Sequence, residues 1–316
     1  MKAKSKIITA LLLSAGVTSG LALINKYIKM SAIAKKLLAN PDPHCYKWRF
    51  GDVFYTKSGH GKPLLLIHDL DYASSGCEWD NLLPLLEKQY TVYTIDLLGC
   101  GRSEKPNLTY TNFLYVQLLN DFIKSEIGHR TNVIATGNSS SIVTMACVYN
   151  QDLFDKIMFI NPESFSSCSQ IPGKAAKLYH FILELPVLGT LLYHIASAKN
   201  IIEETFYETY FYDSHNVKPS FINKYFESAH LGDCPRAIYS SIVCNYTKCN
   251  ICHSLEKIDN SIYILGGAAK KEIDPILREY IECNPAIEYS TISGTKYLPQ
   301  LEKPEKTIEV IKMFFD

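Results

Sequence analysis

No excess of charge marks this chain. Its 32 lysines and arginines balance 32 aspartates and glutamates over 316 residues. Without a basic stripe there is no electrostatic footprint for nucleic acid, and none is expected as a partner. Internal repeats and low-complexity tracts are also missing, which excludes repeat arrays and disordered tails. The ten cysteines follow no regular framework. Irregular spacing in a long chain reads as free or buried thiols rather than structural disulfides, and favours a domain facing the cytoplasm. Long uncharged runs are scarce too. The most apolar of them is Ile7 to Ile24, "IITALLLSAGVTSGLALI", with Lys2, Lys4 and Lys6 before it and Lys26, Lys29, Lys35 and Lys36 after it. About 18 uncharged residues are just enough to cross a bilayer. No small-x-small site precedes a polar start, so an uncleaved single-pass anchor within residues 1–30 is favoured over a cleaved signal or a soluble amphipathic helix. Lysines at both ends leave the side of the membrane undetermined. Gly16 and Gly20 form a lone GxxxG, which is weak support for paired anchors.

What is present is a globular composition: 47% hydrophobic residues and 21 tyrosines suit a sizeable core. From Cys45 onward, short apolar runs alternate with helical patterns. "YKWRF" and "DVFYT" flank Gly51 as a hairpin. "PLLLIH", "YTVYTID", "TNVIAT", "DKIMFI", "SIYILG" and "AIEYSTI" read as strands. Such alternation predicts a mostly parallel sheet covered by helices on both faces, with function at the carboxyl ends of the strands. Those ends carry His68, Asp96, Ser139, Asn161 and Gly266. The rhythm breaks over residues 164–244, a helical, aromatic-rich insertion. Its aromatics either wall an apolar pocket or fill a small core of their own.

"ATGNSSSIV" joins a strand to a helix. Gly137 and Ser141 are small residues two before and two after Ser139, as a sharp strand-to-helix turn presenting a nucleophile requires. A serine N-cap is the alternative reading. "LLLIHDL", "DLLGCGRS" (Asp96 to Ser103), "GNSSS" and "LPQLEKPE" (Leu298 to Glu305) then occur in order. In this combination the chain resembles the α/β-hydrolase family, in its lid-bearing esterase, dehalogenase and epoxide-hydrolase branch, over roughly residues 46 to 315.

The resemblance implies an α/β-hydrolase fold with an eight-stranded, mostly parallel sheet. The core would comprise residues 45–163 and 245–316, with residues 164–244 as a helical lid. It makes Ser139 the nucleophile position and assigns the oxyanion hole to the backbone N–H groups of Leu70 and Ser140. It also expects a histidine before "LPQLEKPE", where Tyr297 stands, and an acid after "YILGG", where Ala269 stands. Asp69 replaces the usual glycine after His68, which sets a negative charge near a developing oxyanion. Substitute bases or acids are Lys296, Glu163 and the insertion's histidines His180, His194, His215 and His230.

A serine without its base is a poor nucleophile. The expected function is therefore a membrane-anchored protein, non-hydrolytic or very weakly active, holding an apolar small molecule, an acyl compound or a partner under the lid. The alternative is an esterase-like serine hydrolase acting through Ser139 with a rewired base. Cys249 to His253, "CNICH", fits a haem-attachment or metal pattern, but no second ligand pair has metal-site spacing. It reads as buried thiols, with no cofactor and no metal expected.

Overall fold

A computed structural model describes the backbone of residues 2–316 and the side chains of residues 16–316. Eight strands form one sheet in the order β1-β2-β4-β3-β5-β6-β7-β8. They are β1 His44–Trp48, β2 Gly51–Gly59, β3 Lys62–Ile67, β4 Tyr90–Ile95, β5 Thr131–Thr136, β6 Phe154–Ile160, β7 Ile262–Gly267 and β8 Glu288–Ile292. The first hairpin and its neighbour pair antiparallel, and every contact from β4 through β3 to β8 is parallel. The expected α/β-hydrolase fold is what forms.

The central strands are apolar on both faces because both faces are covered. In β3, Leu65 and Ile67 join one core cluster while Leu64 and Leu66 join the other. Val133 and Ala135 of β5 oppose Ile134 in the same way. Side chains two apart share a face, so each strand supplies both helical layers at once.

After β4, the "DLLGCGRS" turn is fixed by one buried ion pair. Arg102 donates Nε to Asp96 Oδ2 at 2.7 Å and Nη2 to Oδ1 at 2.9 Å, and the N–H of Gly76 reaches Oδ1 at 2.7 Å. Burial on its own would raise the Asp96 carboxyl, but the charge and hydrogen bonds of Arg102 outweigh it and hold it down at about 2. A depressed carboxyl contributes stability above its unfolded value of about 3.9, and this is lost as pH falls through the folded value. Arg102→Lys keeps the charge and loses the fork. It is expected to cost about 1.5–3 kcal/mol in urea unfolding at neutral pH, with the deficit shrinking as pH falls toward 2.

Between β6 and β7 the chain is helical, in Phe165–Cys168, Lys174–Glu184, Leu188–Ala196, Lys199–Thr205, Phe206–Tyr210, Pro219–His230 and Pro235–Val243. Phe206, Phe211, Phe221 and Tyr225 pack with Tyr297 and Leu298 in one buried cluster. These aromatics therefore fill a core of the insertion's own and seat it on the loop after β8. Tyr179, Phe181, Tyr207 and Tyr212 are exposed.

The N-terminal helix spans Lys2–Ile33. The side chains of residues 7–15 in the expected anchor lie outside the described residues. Beyond them, Asn25 donates to the carbonyl of Val187 at 3.0 Å, and the N–H groups of Leu37 and Leu38 donate to the Glu227 carboxylate at 2.8 and 3.1 Å. Ala32 and Leu38 are buried. This end of the helix docks on the insertion. Among the described residues no single helix is long and apolar enough to cross a membrane, which corrects the expected single-pass anchor.

Candidate active site

The sharp turn after β5 falls two residues earlier than expected. β5 ends at Thr136, Gly137 has φ +54°, and Asn138 leads into the helix Ser139–Tyr149. The residue at the strained corner is thus Gly137, flanked at a spacing of two by the small residues Ala135 and Ser139. Ser139 opens the helix, has no exposed surface, and donates its hydroxyl to the carbonyl of His68 at 2.6 Å. It faces neither a histidine nor an acid. The assignment of Ser139 to the nucleophile's place is therefore corrected: the serine ties the helix to the end of β3.

Asp69 and Tyr297 fill the space over the corner. Asp69 Oδ1 accepts the N–H of Asn138 at 2.8 Å and its side-chain amide at 3.2 Å. Asp69 Oδ2 accepts the Tyr297 hydroxyl at 2.8 Å. A Cβ on Gly137 would lie 2.1 Å from Tyr297 Oη and 2.6 Å from Asp69 Oδ1. The N–H that follows the corner residue is the donor which, in a nucleophile elbow, faces a developing oxyanion. Here it belongs to Asn138, and a carboxylate oxygen occupies it. The N–H of Ser140 is spent on the carbonyl of Gly137 at 3.2 Å, which corrects the assignment of Ser140 to the oxyanion hole. Leu70, the other residue assigned to it, packs in the core beside Asp69.

Burial pushes the Asp69 carboxyl up from its ordinary value, against the hydrogen bonds from Tyr297 and Asn138. Burial, then the Asp69 charge, lifts the Tyr297 phenol well above its own, so it stays protonated and donates. Beneath them, Glu78 accepts the N–H of Asp69 at 3.2 Å and the Tyr225 hydroxyl at 3.1 Å. Burial and then Asp69 raise Glu78 to about 8. His68 is neutral: burial lowers it to about 4, its Nδ1–H donates to the Asp69 carbonyl at 2.7 Å, and its Nε2 accepts the N–H of Leu97 at 3.0 Å.

Tyr297 is positioned from three sides. The Tyr210 ring stacks on it at 5.4 Å, with the Tyr210 carbonyl accepting its N–H at 3.1 Å. Asn161, at the end of β6 with φ +50°, donates to the carbonyls of Lys296 and Tyr297 at 2.9 and 2.8 Å. The Lys270 ammonium lies 5.2 Å from the Tyr297 ring centre and donates to the carbonyls of Asn161 and Pro162 at 3.0 and 2.9 Å. Burial lowers the Lys270 pKa. Tyr297 and Lys270 line a cavity of about 480 Å³ with Glu163, Glu208, Lys271 and Lys296, and Ala269 lies in the same wall.

The proposed substitutes do not meet Ser139. Lys296 reaches the carbonyl of Glu208 at 2.9 Å. Among the insertion's histidines, His180 bonds Ser240 at 2.6 Å, His194 stacks on His230 at 5.1 Å, and His215 pairs with Asp213 at 3.0 Å. Gly137, Asn138 and Lys270 were not singled out in the sequence as site residues, and Asp69 stood there only as an obstacle. Gly137 and Asn138 had a signal, since Ala-Thr-Gly-Asn-Ser satisfies the same small-residue spacing two residues back. Lys270 had none.

The alpha/beta hydrolase family model matches residues 64–310. The chain belongs to this family. A 2-hydroxy-6-oxo-6-(2'-aminophenyl)hexa-2,4-dienoic acid hydrolase from Metapseudomonas resinovorans is 37% identical over 27% of the chain and 29% of its own length. A soluble epoxide hydrolase from Corynebacterium sp. (strain C12) is 29% identical over 34% of the chain and 37% of its own length. The matches thus span about a third of the length of these curated relatives. The crystal structure of naproxen esterase from Bacillus subtilis superposes with TM-score 0.71 at 18% identity, over 92% of the chain and 98% of the esterase. That likeness is one of fold. These relatives are hydrolases by name, and with the absence of a membrane-spanning helix among the described residues they overturn the expected membrane-anchored, non-hydrolytic binding protein.

Proposed function

We propose that the chain is a hydrolase that cleaves an acyl bond in a small anionic compound, using the Asp69–Tyr297 pair at the elbow in place of a serine triad. The observation that carries this reading is the Asp69 carboxylate seated over Gly137, hydrogen-bonded to both Asn138 N–H and Tyr297 Oη. The hydrolase relatives support the reaction class. The adjoining cavity supports the substrate class, because Lys270, Lys271 and Lys296 outnumber Glu163 and Glu208 in its wall. A carboxylate-bearing acyl compound suits that balance better than an apolar ester.

In this mechanism the Tyr297 hydroxyl turns from Asp69 to the oxygen of the bound acyl group. Asp69 Oδ2 is then free to take a proton from water, whose oxygen bonds to the acyl carbon. The bond from the acyl carbon to the leaving group then breaks, the leaving group takes from Asp69 the proton that came from water, and the hydrogen bond from Tyr297 to the Asp69 carboxylate re-forms. Positioned proton transfer of this kind contributes about 10²–10⁴-fold. Neither the triad base nor its acid is needed, which accommodates Tyr297 and Ala269 at those places.

The test is hydrolysis of half-esters of dicarboxylic acids beside neutral p-nitrophenyl esters. Turnover should favour the anionic substrates and be untouched by a fluorophosphonate. Tyr297→Phe should lower it by about 10²-fold, within the range of one acid–base group. Inhibition by the fluorophosphonate with labelling at Ser139, or no hydrolysis of any acyl substrate, would sink the proposal.

A further inference from the structure

Cys249 and Cys252, three positions apart in the "CNICH" motif, go separate ways in the fold. Cys249 lines a groove with Lys248 and Tyr246. Cys252 opens the short helix Cys252–Leu255 and meets Cys283, the last residue of the helix Ile273–Cys283. Their sulfurs are 3.4 Å apart, and the Cys283 thiol also donates to the Cys252 carbonyl at 2.9 Å. A Glu256 carboxylate oxygen completes a cluster whose three ligand atoms lie within 4.8 Å of one another. His253 Nδ1 is 3.0 Å from Glu256 Oε2, on an imidazole with 85% of its side-chain surface exposed.

We infer that Cys252, Cys283, Glu256 and His253 form a binding site for zinc or a similar thiophilic divalent cation. Two thiolates, a carboxylate and an imidazole match the donors that tetrahedral zinc takes. Zinc–sulfur bonds of about 2.3 Å in tetrahedral geometry put the sulfurs about 3.8 Å apart, so the cysteines need move only a few tenths of an ångström. The Glu256 oxygen must close further, and it is on an exposed side chain free to do so. His253 stands outside the three-atom cluster, 3.0 Å from Glu256, and its exposed ring must turn to reach the metal. The ion would join the segment entering β7 to the helix leaving it. That helix begins beside Lys270 and Lys271 of the cavity wall, so the clamp holds its far end. The site is separate from the Asp69–Tyr297 pair, and its existence does not depend on the proposed reaction.

The test is a cobalt(II) titration of the full chain, stripped with a chelator and kept reduced with a phosphine. Wild type should take up one equivalent, with thiolate-to-cobalt charge transfer and the intense visible bands of tetrahedral cobalt. Zinc should displace it and raise the melting temperature. Cys252→Ser and Cys283→Ser should each weaken binding by more than about 100-fold, beyond the loss of an outer-shell partner. Glu256→Gln, at an exposed position, should weaken it by about 10-fold. Cys249→Ser should leave it unchanged. Wild type without charge transfer overturns the site, as does cobalt binding that survives in the Cys252→Ser/Cys283→Ser double variant or that depends on Cys249. Should a cysteine variant fail to fold by circular dichroism, the Glu256→Gln and Cys249→Ser comparison still decides. Equal cobalt affinity in those two also overturns it.

Discussion

Asp69→Asn is expected to lower turnover by about 10²–10⁴-fold, because asparagine keeps the shape of the side chain and cannot take a proton. The amide oxygen can still accept the N–H of Asn138, so the elbow should hold. Stability should also respond, in a pH-dependent way. A buried carboxyl with a raised folded pKa contributes stability that is complete below its unfolded value and is lost as pH rises through the folded one. The asparagine variant lacks that loss. Its urea midpoint should therefore match wild type near pH 4 and exceed it at pH 8. Glu78, raised to about 8, and Asp71, raised to about 7 by burial and then by Asp69, give slopes of the same sign, which the variant keeps through burial but weakens by removing the Asp69 charge, so they add to the gain at pH 8. His68 opposes them. Its folded value near 4 lies below the unfolded value of about 6.5, so its contribution is lost as pH falls through 4. Full activity in a folded Asp69→Asn variant would remove Asp69 from the chemistry.

The sheet was legible because burial on both faces writes itself as apolar runs. "PLLLIH" has no polar residue until the strand ends, and β3 ends there. "DLLGCGRS" was legible because a buried Asp96–Arg102 pair and tight glycine turns tolerate few alternatives. The elbow register was not. Small residues two apart fit both Ala135-Gly137-Ser139 and Gly137-Ser139-Ser141, and three serines drew the reading to the second. What decides is where β5 stops and which residue takes the positive φ, and no local pattern distinguishes Thr136 from Asn138 as the strand's end. The meaning of Asp69 was hidden for another reason. Beside a nucleophile, a carboxylate is an obstacle. Beside Gly137 it is the group that fills the vacant volume, and that follows only once Tyr297 and Asn138 are seen to hold it. For the N-terminal run, the side chains of residues 7–15 lie outside the described residues, and Val17, Leu23 and Ile24 are exposed. The chain that follows the run docks on the insertion through Asn25 and the contacts to Glu227.

Gly137→Ser would put a hydroxyl where the family fold presents one, and it is expected to destabilise the chain by about 2–5 kcal/mol. A left-handed φ at a residue bearing a Cβ costs about 1–2 kcal/mol, and overpacking a filled site adds about 1–3 kcal/mol. The new Cβ meets Tyr297 Oη at 2.1 Å and Asp69 Oδ1 at 2.6 Å, closer than any rotation within a rotamer relieves. Tyr297 has little room to retreat, with Tyr210 stacked on its ring and Asn161 holding its carbonyl. The clash and the φ strain are separable. Tyr297→Ala removes the first and not the second, so Gly137→Ser should cost less in a Tyr297→Ala background. The difference expected for residues in direct contact is about 0.5–3 kcal/mol. Adding Asp69→Gly removes the second clash and frees the N–H of Asn138 for an oxyanion, and Tyr297→His in place of alanine supplies a base beside the new hydroxyl. The triple variant Gly137→Ser/Tyr297→His/Asp69→Gly should then react with a fluorophosphonate that leaves wild type unlabelled, with the adduct at position 137 by mass spectrometry. An adduct at Ser139 in either protein would return the nucleophile's place to the helix. A Gly137→Ser variant as stable as wild type would mean that the corner is not packed against Asp69 and Tyr297 as described.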